Sequence, residues 1–379
     1  MRKEKALTAL TLWLGLVWVV TVGLRLAHSA STEATVAAKV ETRLAERLAG
    51  VSFHFPSLSE ETRSKLLEAA REMVGDDPLK QKILRSEEPS PEEMEKLEGW
   101  YFLQGDYIRN HEKRTKRELE AIARSDLNRL MMALALILAS LLTGSILWLL
   151  TPRLFPLLGP ALEVEPDRER LCLALSLYFL WDFLCLMMGP TVKSLLDPFF
   201  KWPIVVVPVQ FVFYLLGLGL CFSFCKELRM GVTWKNTLAG VCAFTMCGPV
   251  VFLATQLTQL LSGRSAGSTN PMLEMLTNVS TGVFWLVLLA AVVGPMFEEF
   301  LFRGVIYGNL RRALPVGPAM AVSAFIFALV HGDFMAILPL AGLGAMFAAL
   351  YEKTGSLWPS MVCHALWNGA TVWMLWLLF

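Results

Sequence analysis

The chain has 379 residues, of which 55% are hydrophobic and only 18% are charged, with a formal net charge of +1. Soluble globular domains carry about 25% charged residues, so the composition excludes an ordinary soluble protein. The net charge itself says nothing about nucleic acid, but no basic surface interleaved with aromatic residues stands out in the sequence, and we expect no nucleic-acid partner. The partner that this composition predicts is the lipid bilayer.

The N-terminal region predicts a first membrane span. Basic residues within the first five positions precede an apolar run from about Ala6 to Leu24. Ala27-His28-Ser29 resembles a signal cleavage site, but the run is longer than the roughly 7–15 apolar residues of a cleaved signal peptide. We therefore predict that residues 1–28 form a retained signal anchor.

Residues 29–127 are polar and predict a helical insert outside the cytoplasm, directly after the first span. Ser57-Leu-Ser-Glu60 has the pattern of a capping box and predicts a helix over about Glu61–Met73, with Gly75 placed to end it. Ser90-Pro91-Glu92-Glu93 predicts a second helix start, because serine stands at the N-cap, proline at the first helical position and glutamate at the third, which completes a capping box.

Residues 128–379 alternate between apolar runs and short polar breaks, which predicts a membrane domain. The runs lie near 129–150, 171–189, 203–224, 236–260, 281–300, 316–333, 335–351 and 359–378. Most approach the roughly 20 residues that cross a bilayer core as a helix. With the first span, they predict an all-α polytopic membrane bundle of about nine spans.

Lysine and arginine in short loops predict the orientation of this bundle. With the N-terminus inside, the inner loops carry Arg153, Arg168, Arg170, Lys226, Arg229, Lys235, Arg311, Arg312 and Lys353. The outer short loops carry only Lys193, Lys201 and Arg264. The bias predicts a multi-pass protein of the plasma (inner) membrane with a cytoplasmic N-terminus.

Three segments near the C-terminus place ionisable groups inside apolar runs. They are Glu298-Glu299-Phe-Leu-Phe-Arg303-Gly304, Phe327-Ala-Leu-Val-His331 and His364-Ala-Leu-Trp-Asn368. An ionisable group at membrane depth costs about 2.5–3.5 kcal/mol on insertion scales. Such groups therefore carry a functional hypothesis.

Helical spacing separates the two glutamates of the first segment. Glu299 and Arg303 are four residues apart with the acid first, so they can pair on one helix face. Glu298 faces another direction and lacks that partner, which suits a buried general base. Taken alone, the segment can equally be a structural ion cluster at the inner end of a span.

The other two segments supply imidazoles and an amide. Phe327 lies one turn before His331 and can shield its ring, while His364 and Asn368 lie four apart on one face. Two donors at that spacing suit an oxyanion, although such groups also hydrogen-bond between membrane helices. Together with Glu298 the set favours water activation: Glu298 and His331 hold and deprotonate water, and His364 and Asn368 stabilise negative charge.

The segments EEFLFRG, FIFALVH and GSLWPSMVCHALWN resemble, in order and spacing, the three signature motifs of the CAAX protease and bacteriocin-processing (CPBP, or Abi) family of intramembrane endopeptidases. The Ras-converting CAAX prenyl endopeptidase is a member. The resemblance covers about residues 171–379. It implies an enzyme that cleaves a membrane-embedded protein or a peptide. The implied substrate is CAAX-like or lipidated. The implied catalytic residues are Glu298, His331, His364 and Asn368, with Glu299, Arg303 and Phe327 in support.

The resemblance leaves the cofactor open, because the family has been described both as metalloproteases and as glutamate-dependent enzymes. Glu298, His331 and His364 would make a three-ligand zinc site with an open fourth position. No carboxylate partner for each histidine is evident in the sequence, and we favour a mechanism without metal.

Two other function classes are open to these residues. A proton-coupled transporter would use Glu298, His331 and Asp182 as a relay, but its polar residues should recur in two repeats, whereas here they cluster in the last third. The second alternative class is a non-catalytic immunity or scaffold protein. Asp182, inside the run 171–189, is either a relay or substrate contact, or the partner of a helix terminus or a lysine.

Overall fold

The computed structural model describes residues 2–85, 90, 93, 115–154, 164–196, 202–224, 230–262 and 287–378. Regular structure in these ranges is helical, and they contain no strand. The predicted all-α class is therefore confirmed. Much of the predicted polar insert between residues 86 and 114, and the start of the run predicted at 281–300, lie outside the described residues.

The helices are numbered in chain order. Before residue 263 they are α1 (Arg2–His54), α2 (Glu60–Val74), α3 (Pro78–Leu84), α4 (Lys116–Leu154), α5 (Arg168–Leu196), α6 (Trp202–Phe224) and α7 (Trp234–Ser262). After residue 286 they are α8 (289–310), α9 (Val316–Val330), α10 (Ile337–Thr354) and α11 (Trp358–Leu378). The helices lie close to the predicted apolar runs, because the length of each hydrophobic stretch and the polar residues that interrupt it also determine where the helices begin and end.

Among the described residues, the helical segments Glu4–Leu26, Lys116–Thr151 and Trp234–Ser262 are long and apolar enough to cross a membrane. Many of their apolar side chains are exposed, with Trp13 61% and Leu149 81% exposed. Apolar surface of this kind is unfavourable in water and suits lipid. The count of about nine spans stays a prediction.

The chain divides into two compact units. The larger contains Met1–Glu33 and Ala139–Trp373, and the smaller contains Ala34–Leu138 and Met374–Phe379. Helix α1 passes from one to the other and continues to His54 without a break at the predicted boundary of residue 28. The placement of the polar segment outside the cytoplasm stays a prediction.

The smaller unit has a short hydrophobic core built around Ala45, Ala70 and Leu84. Its helices are capped by side chains, but the cap predicted at Ser57 is wrong by two residues. The hydroxyl of Ser59 accepts from the backbone N–H of Thr62 and opens α2. This shifts the start by one residue to Glu60, while the predicted end at Gly75 is confirmed.

The second predicted capping box is confirmed. The carboxylate of Glu93 accepts from the backbone N–H of Ser90 at 2.7 Å, and the Ser90 hydroxyl accepts from the N–H of Glu93 at 3.3 Å. The reciprocal bonds satisfy two N–H groups that a helix start leaves without internal partners.

In the larger unit, α9 packs against α10, and α10 also packs against α7. The turn between α9 and α10 begins at His331 and includes Gly332, whose φ of 67° favours glycine. Helix α8 contacts α6, α9 and α10, so it lies at the centre of this unit. Most side chains from Phe297 to Leu310 are buried, whereas Val292 and Met296 are exposed.

Helix α8 is irregular. Its Gly294–Glu299 portion is an α-helix between two π-helical portions, Leu289–Val293 and Phe300–Tyr307. All eight residues of Phe300–Tyr307 are buried. π-Helical turns are rare and concentrate at functional sites. The helix continues beyond the predicted end of the apolar run near residue 300, so Glu298 and Glu299 lie well inside it.

A matched pair of glycines in α6 tests the packing against α8. A methyl group on Gly217 would overlap the ring of Phe297, which is held by stacking on Tyr214, whereas one on Gly219 would meet nothing within 4 Å. We expect Gly217→Ala to destabilise the detergent-solubilised protein by about 1–3 kcal/mol through overpacking.

Gly219→Ala is the control and should be neutral or slightly stabilising, because alanine favours helix over glycine. Thermal unfolding of both variants measures the difference. Equal melting temperatures for the two would contradict the close α6–α8 contact.

Candidate active site

The predicted contact between Glu299 and Arg303 is present, and both side chains are fully buried. Arg303 Nη1 donates to Glu299 Oε1 at 2.9 Å. Its Nη2 donates to the backbone carbonyl of Gly344 in α10 at 3.1 Å. A buried ion pair needs such extra hydrogen bonds to offset its desolvation. The guanidinium thereby ties α8 to α10.

Aromatic rings enclose the Arg303 guanidinium. Its Cζ lies 4.7 Å from the ring centroid of Phe327, 4.9 Å from that of Phe347 and 5.9 Å from that of Phe302. A guanidinium within about 6 Å of a ring centroid is attracted by the ring quadrupole. Phe327 therefore supports the cation besides its predicted role beside His331.

The imidazole of His364 contacts both glutamates. Its Nδ1 lies 2.9 Å from Glu299 Oε1, the same oxygen that Arg303 bonds, and its Nε2 lies 3.7 Å from Glu298 Oε2. The sequence predicts that adjacent glutamates face apart. They nevertheless meet at one ring, because the two nitrogens of an imidazole lie on different sides of it.

Glu298 is the less enclosed of the two glutamates, with its side chain 17% exposed. Its Oε2 is buried and has no hydrogen-bond partner among the described residues. Its Oε1 lies 3.7 Å from the position of a methyl group on Gly294, one turn earlier in the same helix, which is an ordinary van der Waals distance. A buried oxygen without a partner is a place where a water or a substrate proton can bind.

His331 lies at the C-terminal end of α9. Its Nδ1 lies 2.7 Å from the backbone carbonyl of Phe327, and the Phe327 ring lies 4.8 Å from the imidazole. Because a carbonyl oxygen only accepts, Nδ1 carries the proton of this bond and Nε2 is left as an acceptor. The Phe327 ring also lies 5.8 Å from His364, so the same ring is close to both histidines.

Asn368 and Asp182 each have a partner. Asn368 Nδ2 donates to the carbonyl of Ala290 at 2.8 Å and so links α11 to the first π-helical portion of α8. Asn368 retains a second amide hydrogen. Asp182 accepts a hydrogen bond from Trp18 Nε1 at 3.0 Å. A tryptophan of α1, rather than a loop lysine, is thus its hydrogen-bond partner.

The predicted ligand set does not form a metal site in this structure. Within the described ranges, no three His, Cys, Asp or Glu side chains are grouped closely enough to hold a metal ion. Glu298 and Glu299 approach His364, whereas His331 bonds the backbone carbonyl of Phe327. Glu299 gives His364 a carboxylate partner that was not evident in the sequence, and the mechanism without metal stays a prediction.

The structure adds groups that the sequence does not single out. Phe347 and the Gly344 carbonyl of α10 contact Arg303, and the Ala290 carbonyl binds Asn368. Phe347 lies in an ordinary apolar run, and backbone carbonyls carry no sequence signal. No pattern in the chain could have identified them.

The segment that contains the three motifs is similar to known proteins. The family model for Type II CAAX prenyl endopeptidase Rce1-like proteins matches residues 280–370. The membrane-embedded CAAX protease MroQ of Staphylococcus aureus (strain USA300) is 33% identical over 122 residues, which are 31% of this chain and 48% of that protein. YdiL of Bacillus subtilis (strain 168), named provisionally as a membrane peptidase, is 30% identical over 106 residues, which are 28% of this chain and 42% of that protein.

The chain spans about half the length of these curated relatives. No solved structure matches it. The resemblance predicted from the motifs is confirmed for the C-terminal segment, since residues 280–370 contain all three. The apolar helices and the membrane-embedded relative identify an integral membrane protein.

The buried pair of Glu299 and Arg303 can be tested against an exposed pair of the same spacing, Glu61 and Lys65. We expect Arg303→Met to destabilise the protein by about 3–5 kcal/mol, because it leaves Glu299 buried without its cation. Combining it with Glu299→Gln should cost less than the sum of the two single changes, because the partners interact directly.

Thermal unfolding in detergent is the measurement, and Lys65→Met is the control with little expected effect because exposed pairs contribute little. Strict additivity of the two α8 changes would show that the pair does not interact as the distances indicate.

Proposed function

Because residues 280–370 match the CAAX prenyl endopeptidase family, we propose that this protein is an intramembrane endopeptidase that activates water with Glu298. One observation carries the proposal. Glu298 Oε2 is buried, lacks a hydrogen-bond partner among the described residues and lies 3.7 Å from His364 Nε2. A carboxylate held beside an imidazole in an apolar surrounding is suited to proton transfer.

In the proposed reaction, a water molecule binds beside Glu298. The carboxylate takes a proton as the water oxygen attacks the carbonyl carbon of the substrate, and the electrons of the C=O bond move to the oxygen. Glu298 then returns the proton to the leaving nitrogen as the C–N bond breaks. A positioned base of this kind contributes about 10²–10⁴-fold to the rate.

His331 shares the water with Glu298 in this proposal. Its Nδ1 is occupied by the Phe327 carbonyl, so Nε2 is the nitrogen that can accept from the water. This hydrogen bond also fixes the orientation of the His331 ring, which is what the partner of a catalytic imidazole is expected to do. A rotation of α9 would change the distance between His331 and Glu298.

His364 and Asn368 form the oxyanion site in this proposal. His364 Nδ1 donates to Glu299, so Nε2 is the nitrogen left for the reaction, and it must carry a proton to donate to the oxyanion. Asn368 contributes the amide hydrogen that Ala290 does not use. Fixed donors directed at the developing charge cost no reorganisation during the reaction.

We propose a membrane-embedded or lipidated protein, or a CAAX-like peptide, as substrate, and the inner membrane with a cytoplasmic N-terminus as location. The family of the matching segment supports a membrane-associated peptide substrate. A buried site among apolar helices also favours a substrate that partitions into the bilayer. The proposed mechanism uses no metal.

Replacing Glu298 tests the base. We expect Glu298→Gln and Glu298→Ala to lower kcat by about 10²–10⁴-fold, because neither side chain accepts a proton from water. The measurement is cleavage of quenched peptides that end in a CAAX-like tail, with and without a prenyl group, by protein in liposomes. The exposed Glu68→Gln serves as control. Full activity in both Glu298 variants would disprove the mechanism.

Chelation tests the metal. The metal-free proposal predicts unchanged cleavage after prolonged incubation with a strong chelator, with melting temperature recorded in parallel. Inhibition that added zinc reverses would overturn the metal-free mechanism and favour a metalloprotease. Proton-coupled uptake by the same liposomes, lost in Glu298→Gln, would instead favour a transporter.

A further inference from the structure

Helix α10 contains none of the motif residues, yet it contacts the site at two positions. The Gly344 carbonyl accepts a hydrogen bond from Arg303, and the side chain of Phe347 lies three residues further along. Residues three apart share a helix face, so both contacts come from the same side of α10. Phe347 is fully buried.

The Phe347 ring contacts both donors that share Glu299 Oε1. It stacks on the imidazole of His364 with 4.7 Å between centroids and 23° between planes, and it lies 4.9 Å from the Arg303 Cζ. One aromatic side chain thus adjoins both the cation and the imidazole of the site.

The orientation of His364 has a narrow tolerance. One ring must direct Nδ1 to Glu299 and Nε2 towards Glu298, and rotation about its terminal torsion would weaken both contacts. That torsion has a broad energy minimum in histidine, so the rotamer alone does not fix the ring plane. The stacked ring of Phe347 fixes the plane of the imidazole. Phe327, at 78° to the imidazole, limits the rotation of the imidazole from a second direction.

We propose that Phe347 is a positioning residue that sets the plane of the His364 imidazole between the two glutamates. This inference rests on the proposed endopeptidase function and deepens it, because Phe347 acts through His364 and touches neither water nor substrate. Its contribution belongs to the chemical step, since displacing a catalytic group by about 1 Å can cost about 10²-fold in rate.

Two substitutions separate ring plane from bulk. Phe347→Leu keeps an apolar side chain but removes the flat ring, and Phe347→Tyr keeps the ring. Phe325→Leu is the matched control, because Phe325 is 52% exposed. We expect Phe347→Leu to lower kcat by about 10- to 100-fold with little change in KM, and Phe347→Tyr and Phe325→Leu to retain most of the activity.

A second readout does not depend on cleavage. Diethyl pyrocarbonate acylates the unprotonated nitrogen of an imidazole, and mass spectrometry reports the rate at each histidine of the intact protein when all variants are labelled at one pH. We expect His364, which is 3% exposed, to react faster in Phe347→Leu than in the wild type, with His331 unchanged. Melting temperatures identify any variant that is merely unfolded.

The outcomes distinguish the two proposals. If wild-type protein cleaves no peptide, the proposed endopeptidase function is wrong. The labelling rates at His364 then test the positioning role of Phe347 by themselves. If Phe347→Leu keeps wild-type kcat and wild-type labelling at His364, the positioning role is wrong. A rise in KM at constant kcat would also overturn it, because that pattern indicates loss of binding and not of positioning.

Discussion

The site depends on one carboxylate oxygen that two donors share. Glu299 Oε1 accepts from Arg303 in its own helix and from His364 in α11, and all three side chains are buried. A charge at this depth is stable only while its partners stay in place, so the packing of α8, α10 and α11 is coupled to the electrostatics. Glu298, adjacent in sequence, has no such set of bonds among the described residues, which is why we propose it as the base.

The sequence predicted the elements and the pairing that follow from local rules. Apolar length predicted the helices, and the spacing of four predicted Glu299 with Arg303. It missed the hydrogen bond from His364 to Glu299, because the spacing along one helix does not show which side chains a second helix brings close. The π-helical portions of α8 were also missed, since they depend on tertiary packing and have no periodic signature here.

Phe347 marks a different limit of prediction. The signature motifs contain residues whose chemistry is conspicuous, whereas Phe347 resembles any other core aromatic until its neighbours are known. Its contacts are with residues brought close by the fold. A buried apolar side chain can therefore belong to the support of a polar site, and only the coordinates distinguish it from ordinary core.

The hydrogen bond from Asn368 to Ala290 has a mechanical consequence. It joins α11 to α8 at one point, and the bond from His364 to Glu299 joins the same helices at another. Two helices that are joined by hydrogen bonds at two points can rotate relative to each other only about the line through both points. While both bonds hold, α8 and α11 stay together along this contact, so in the proposed reaction a polypeptide would reach Glu298 from the sides formed by other helices.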